Sequence, residues 1–441
     1  MKKNSQFINI INYLTIAFAT LPLISNVLSK FLGGVAYIII SYIITFFAML
    51  INSNKFDKKE RWLFRGFVVF IIFAAFYSLG TQLFIDHFRK RSVLGIDISV
   101  TLYNFISNLP LHLCCFFLFL RSKEENRQKY FKFFFLCLLY TIIITGIALI
   151  VIPDFATNDT AAISTENMGF FSLLGASGYS LAYSLTVLVP IFFYFFFSTK
   201  KVLFILIGLS GMFVTIKSGF LIATSVLIFN CILCLIFSIK SNFIRRFLIC
   251  VIFGIGICLI FNPEFVGRTL LFFADKITIF TIKKRLIQIS NVFLYKDYSG
   301  DAVAGRIAVY IKTIDGINEH PIIGNIFLND SFAESGHSTV LDPWADFGII
   351  FFFLFVIFLV CFYFGGRNKK KRNQSLILLS LLLSFFLISL LDPILASAMV
   401  FNYLFIIFCF VTYKNKDREN LMVNDITRSD IQVERGTIWE F

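Results

Sequence analysis

The chain has 441 residues, of which 58% are hydrophobic, 60 are Phe and only 15% are charged, and its mean hydropathy is +0.82. Soluble chains carry about a quarter charged residues, and here the apolar residues run in stretches of about twenty, enough to cross a bilayer as helix; a soluble globular class is excluded. The formal charge of +14 lies in short basic clusters between the apolar runs, as orientation across a membrane requires, with no basic face interleaved with aromatics for a nucleic acid to follow.

Taken in order, the runs predict an all-α polytopic membrane protein with about twelve transmembrane helices, near 7–27, 33–52, 66–85, 98–120, 133–152, 180–198, 202–216, 219–238, 243–262, 347–365, 374–391 and 394–413. Ala17-Phe18-Ala19 resembles a signal-peptidase site, but the apolar run continues well past it, so an uncleaved first helix is expected. With both termini inside, every short basic loop falls on one face: 55–65, 121–132, Lys200-Lys201, 240–246 and 367–372. The expected organisation is helices 1–9 over residues 1–262, one large outer loop over 263–346, helices 10–12 over 347–413 and a polar cytoplasmic tail over 414–441. All nine cysteines lie inside apolar runs, where small buried thiols are common and no disulfide framework is implied.

The outer loop gathers the residues able to do chemistry. Its first half alternates apolar and basic residues at helical spacing, which suits helices lying in the interface. Arg306 then opens an amphipathic helix with Ile307, Tyr310, Ile311, Ile314 and Ile317 on one face, ended at Pro321. Its forked guanidinium matches phosphate oxygens, as an anion clamp or as a headgroup contact. His337, between Gly336 and Ser338, carries an imidazole able to take a proton from a hydroxyl; the bland alternative is an exposed loop histidine. His320 precedes Pro321 and reads as turn architecture. Lys217, in TIKSGF, sits where one apolar run gives way to the next. Arg89, Lys90 and Arg91 form a second basic cluster, suited to a pyrophosphate or to headgroups. Asp330, Glu334, Asp342 and Asp346 lack the flanks of a metal site, and neither a Walker motif nor G-x-S-x-G is present. No cofactor and no metal are expected.

GRIAVYIKTIDGINEHPIIGN and GHSTVLDPWADFGII, with the KSGF turn and MGFFSLLGASGYSLA, resemble the O-antigen polymerase and O-antigen ligase superfamily of bacterial membrane proteins. The resemblance implies a metal-independent glycosyltransferase of the cytoplasmic membrane, acting at its outer face. It would polymerise undecaprenyl-pyrophosphate-linked oligosaccharide repeat units into O-antigen or capsule. Membrane lipids surround it, and a chain-length regulator and a flippase are the partners that the family implies. By the same resemblance Arg306 contacts pyrophosphate, His337 activates or orients the acceptor hydroxyl, and Lys217 is a second phosphate contact. His320 joins the substrate-binding set through its motif. The family's arginine before the GxF step is missing here, where Glu166, Asn167 and Met168 stand; Arg89 or Arg268 would have to supply it.

Two other readings stay open. A ligase transferring glycan to lipid A-core differs in an acceptor that the sequence does not display. A transporter of lipid-linked sugar would carry charge inside its helices and two related halves. Here the spans are nearly free of charge, Asp392 sits at a turn and the halves do not match.

Overall fold

The computed structural model of the chain describes residues 2–84, 90–93, 96–160, 166–239, 241–278, 280–296, 302–326, 337–367 and 372–413. Apart from one two-stranded hairpin, its elements are helical. In order they are α1 (Lys2–Thr20), α2 (Pro22–Leu32), α3 (Gly34–Ile51), α4 (Lys58–Phe84), β1 (Lys90–Val93), β2 (Ile96–Ser99), α5 (Val100–Leu120), α6 (Glu124–Val151), α7 (Phe155–Thr160) and α8 (Glu166–Leu173). There follow α9 (Tyr179–Thr199), α10 (Val202–Lys217), α11 (Leu221–Ser238), α12 (Asn242–Phe261), α13 (Pro263–Lys276), α14 (Phe280–Tyr295), α15 (Ala302–Glu319), α16 (Leu341–Phe347), α17 (Ile349–Gly366), α18 (Arg372–Leu391) and α19 (Ala398–Tyr413).

Among the described residues seven of these, α3, α4, α5, α6, α9, α17 and α18, are long and apolar enough to cross a membrane, and α1 with α2 makes an eighth if the bent pair is one span. α10, α11 and α19 are apolar but shorter. The expected first span is broken. α1 and α2 meet at 82° because Leu21 is extended (φ −108°, ψ 106°) and Pro22 starts the next helix, proline lacking the N–H and the space to continue the previous one. The expected outer segment near 86–97 contains the antiparallel hairpin, with Lys90 opposite Ser99 and Val93 opposite Ile96.

Phenylalanine fills the core. The rings of Phe70 and Phe401 stack at 3.6 Å, and Phe358, Phe362 and Phe405 pack around them. Buried polar groups are paired, as burial demands. Asn12 donates to the Tyr130 hydroxyl at 2.8 Å and exchanges bonds with Asn52. At the start of α6, Arg127 meets Glu60 of α4 and donates to the Leu120 and Ser122 carbonyls at 2.8 and 3.0 Å.

The segment expected to hold the chemistry folds as a helical annex. α13 and α14 form an antiparallel hairpin in which Ser290 donates to the Gly267 carbonyl at 2.8 Å and Leu294 fills the space beside Gly267. α15 then lies against α16. Its buried stripe keeps only part of the expected face: Tyr310 and Ile317 turn inward, joined by Thr313, whereas Ile311 and Ile314 are exposed. The bundle end offers α15 carbonyls and a carboxylate, which polar side chains satisfy and isoleucine does not.

Two glycines lock that annex to the bundle. Gly324 (φ +79°) and Gly348 (φ +85°) bring the chain after α15 against the chain before α17. A Cβ on Gly324 would overlap the Asp346 carbonyl, and one on Gly348 would overlap the Ile322 carbonyl. Around this crossing, the Ile349 N–H donates to the Pro321 carbonyl at 3.0 Å, the Trp344 indole donates to the same oxygen at 3.0 Å, and the Asn325 amide bonds the Gly316 and Ala345 carbonyls.

Candidate functional site

The last turn of α18 ends in Leu391-Asp392-Pro393, and Asp392 is the residue on which the annex converges. Its carboxylate is 1% exposed. One oxygen lies 3.4 Å from Arg306 Nη1, and the other accepts the Tyr183 hydroxyl. The Tyr179 ring stacks beside Tyr183 at 4.5 Å, one helical turn earlier on α9. Its hydroxyl is buried near Asp392 without a hydrogen bond of ordinary geometry. Burial pushes the Asp392 carboxyl above the usual carboxylate range, and Arg306 and the tyrosine hydroxyl oppose that shift.

A second cation reaches the cluster from α14. Arg285 is half-buried and donates to the Gly219 carbonyl at 3.4 Å. Burial, then the neighbouring Arg306, pulls its guanidinium below the usual value, while Tyr183 and Asp392 act in the opposite sense. Gly219 takes φ +73° in the turn after α10, and Phe220 follows it to pack edgewise on Tyr179 at 5.7 Å. The Lys-Ser-Gly-Phe turn is thus part of the wall, with Lys217 exposed at its rim.

His337 is placed by backbone rather than by its ring. Asp342 accepts the His337 and Ser338 N–H groups at 2.9 and 2.8 Å, and Ser338 Oγ accepts the Val340 and Leu341 N–H groups at 3.2 and 2.9 Å. These bonds tie His337 and Ser338 to the chain that enters α16. Ser338 and Thr339 then strap the segment onto α18 through the Ser389 and Asp392 carbonyls. Tyr310 closes the group: its hydroxyl donates to the Leu391 carbonyl at 2.5 Å and lies 3.4 Å from the His337 carbonyl. Burial, then the Arg306 guanidinium, holds the His337 imidazole below its usual pKa, so it is neutral near pH 7 and able to accept a proton.

The structure therefore brings Arg306 and His337 together, with the Lys217 turn beside them. It does not bring in two other residues that the sequence suggests. Arg268, exposed on α13, pairs with Glu264 at 2.6 Å one turn back. His320 ends α15, about 21 Å along the helix axis from Arg306 at 1.5 Å per residue, and its backbone carries the turn to Gly324. Arg89 lies outside the described residues. Arg285, Asp392, Tyr179 and Tyr183 are members of the cluster that sequence reading passes over. A usable signal for the tyrosines is their i, i+4 spacing in GYSLAYS; for Asp392 it is an acid at the end of an apolar run, which is costly unless paired.

No protein-family model matches this chain, and no curated protein matches it.

Arg306 pairs directly with the buried Asp392, and Arg285 stands near both while bonded to the Gly219 carbonyl. Asp392 occupies one side of Arg306, whose side chain remains 41% exposed. The open side of that fork has the donor geometry that matches an anion with paired oxygens, and the His337 imidazole lies close enough for the guanidinium to act on it.

Proposed function

We propose that this protein is a membrane glycosyltransferase of the O-antigen polymerase type, joining undecaprenyl-pyrophosphate-linked oligosaccharide repeat units at the outer face of the bacterial cytoplasmic membrane. The observation that carries the reading is the meeting of Arg306 and His337, drawn from two separate sequence motifs, beside Arg285 and the Lys217 turn. In the reaction, an acceptor sugar hydroxyl attacks the anomeric carbon of the lipid-linked glycan. The bond from that carbon to the pyrophosphate oxygen breaks, and the hydroxyl proton passes to His337. Arg306 and Arg285 hold the pyrophosphate as negative charge builds on it, the point at which fixed donors contribute most. Asp392 and Tyr183 orient Arg306, and the lipid pyrophosphate leaves.

The test is elongation in vitro. Full-length protein in detergent, given lipid-pyrophosphate repeat units with no nucleotide, should produce a ladder of lengthened glycans, and Arg306→Ala and His337→Ala should abolish it. Transfer seen only on adding lipid A-core would replace polymerisation with ligation. Normal ladders from both variants would remove this cluster from the chemistry.

A further inference from the structure

A second concavity opens at the same end of the bundle, on the far side of the α9 start and the 392–397 connection from Arg306. Its volume is about 520 Å³, within the range of about 300–1,000 Å³ typical of small-molecule sites. The bend between α1 and α2 makes its mouth, and the segment MGFFSLLGASGYSLA, which the ion cluster leaves largely unused, makes its wall.

This cavity is built rather than left over. Asn26 on α2 donates to the Ser172 carbonyl on α8 at 2.7 Å. Gly175, at φ +90°, lets the turn after α8 pass against the Leu23 backbone, where a Cβ would stand 2.6 Å from the Leu23 nitrogen. Hydroxyls and amides dominate its polar lining, Ser25, Asn26, Ser177 and Ser180 among them, with Tyr403 and Met399 supplying apolar surface and Lys30 the one cation among the described residues. No acid is among the described lining residues. Ser397 lines it as well: the residue is 7% exposed, and its hydroxyl is buried with no hydrogen-bond partner. A buried hydroxyl without a partner is costly, and a small shift of the wall on binding would bring it to a ligand hydroxyl.

We infer that this cavity is a saccharide-binding site distinct from the Arg306–Asp392 cluster. Neutral donors and acceptors beside apolar patches fit the hydroxyls and the C–H faces of a sugar; a phosphate-bearing headgroup would call for more cations than Lys30. The choice of a glycan over another polyol rests on the proposed function, so the experiment separates the two.

Gly169 makes the test clean. It lines the cavity, and a Cβ placed on it meets nothing within 4 Å, so the side chain of Gly169→Phe starts in open space and takes up cavity volume. Oligosaccharides released by mild acid from the lipid-linked pool of the producing cells would be added to full-length protein in detergent, and saturation transfer to sugar protons followed by NMR. Binding should persist in the parent and in Arg306→Ala, weaken at least ten-fold in Gly169→Phe, and weaken about two- to ten-fold in Ser397→Ala, which deletes one hydrogen-bonding group. Equal binding in the parent and both cavity variants overturns the proposal. So does binding lost in Arg306→Ala alone, which would place the sugar at the ion cluster, or absence of glycan binding where a phosphatidylglycerol or phosphatidylinositol headgroup binds. Elongation without cavity binding would sink this inference and leave the proposed function standing.

Discussion

Arg306 and Asp392 stand 3.4 Å apart, one on the annex and the other at the end of α18, with the guanidinium 41% exposed and the carboxylate 1% exposed. On the proposed function, Asp392 fixes the fork and Arg306 presents it. Arg306→Lys keeps the charge but loses the planar donor pair, and should lower kcat/KM for elongation about a hundred-fold, the scale of losing a transition-state donor. Asp392→Asn should split the constants. Removing the negative charge favours anion binding, so KM for the lipid-linked donor falls, while the unfixed guanidinium lowers kcat about ten-fold. A rise in KM with loss of folded protein would reduce Asp392 to a structural part.

His337 provides a pH signature. Burial and Arg306 both hold its pKa below 6.5, so the native state binds fewer protons than the unfolded chain between the lowered value and 6.5. In that window stability rises with pH, and above 6.5 the contribution is flat. The acid limb of kcat/KM should accordingly fall below pH 6.5. Arg306→Gln should move the imidazole titration toward higher pH, read by NMR of histidine-labelled protein, in which only three other histidines compete. An unmoved titration would separate the two residues electrostatically.

The apolar runs made the helical bundle legible, because a chain with this little charge has few ways to satisfy its backbone except as helix. The break at Pro22 was available to sequence reading but masked by the continuous apolar run on either side. The site was half legible. Arg306 and His337 stand out because each lies in a polar stretch with a recognisable turn. Arg285 was hidden in KKR, one basic residue among three on an amphipathic helix, and only the fold of the α13–α14 hairpin shows which one turns inward. Tyr310 was grouped with the isoleucines by period, although its hydroxyl is what docks α15. Periodicity identifies a face but not the partner it meets, and here the partner is polar.

The Glu60–Arg127 pair should matter for stability and not for chemistry. Its side chains are 6% and 8% exposed, and Arg127 also holds two backbone carbonyls. Removing one member leaves a buried charge, at a cost of about 3–5 kcal/mol. Arg127→Leu should lower Tm markedly while elongation per folded molecule stays at the parent level. Adding Glu60→Gln should restore part of the loss, since residues in one network do not act additively. A double variant as unstable as the sum of the singles would mean that the backbone bonds, not the ion pair, carry the effect.

Gly348 tests whether the annex must be held rigidly for the site to work. Its φ of +85° and ψ of −177° belong to a region open essentially to glycine alone, and a Cβ there would strike the Ile322 carbonyl. Gly33 takes nearly the same backbone angles, φ +80° and ψ 158°, with open space where its Cβ would go. Gly33→Ala should therefore cost only the strain, about 1–3 kcal/mol, and leave elongation per folded molecule intact. Gly348→Ala should cost more and also lower elongation per folded molecule at least ten-fold, because α15 can no longer seat Arg306 against Asp392. The two variants would be compared by thermal denaturation and by elongation assay on the folded fraction. Equal activity in both would show that the site tolerates displacement of the annex, and that the crossing of Gly324 and Gly348 serves the fold alone.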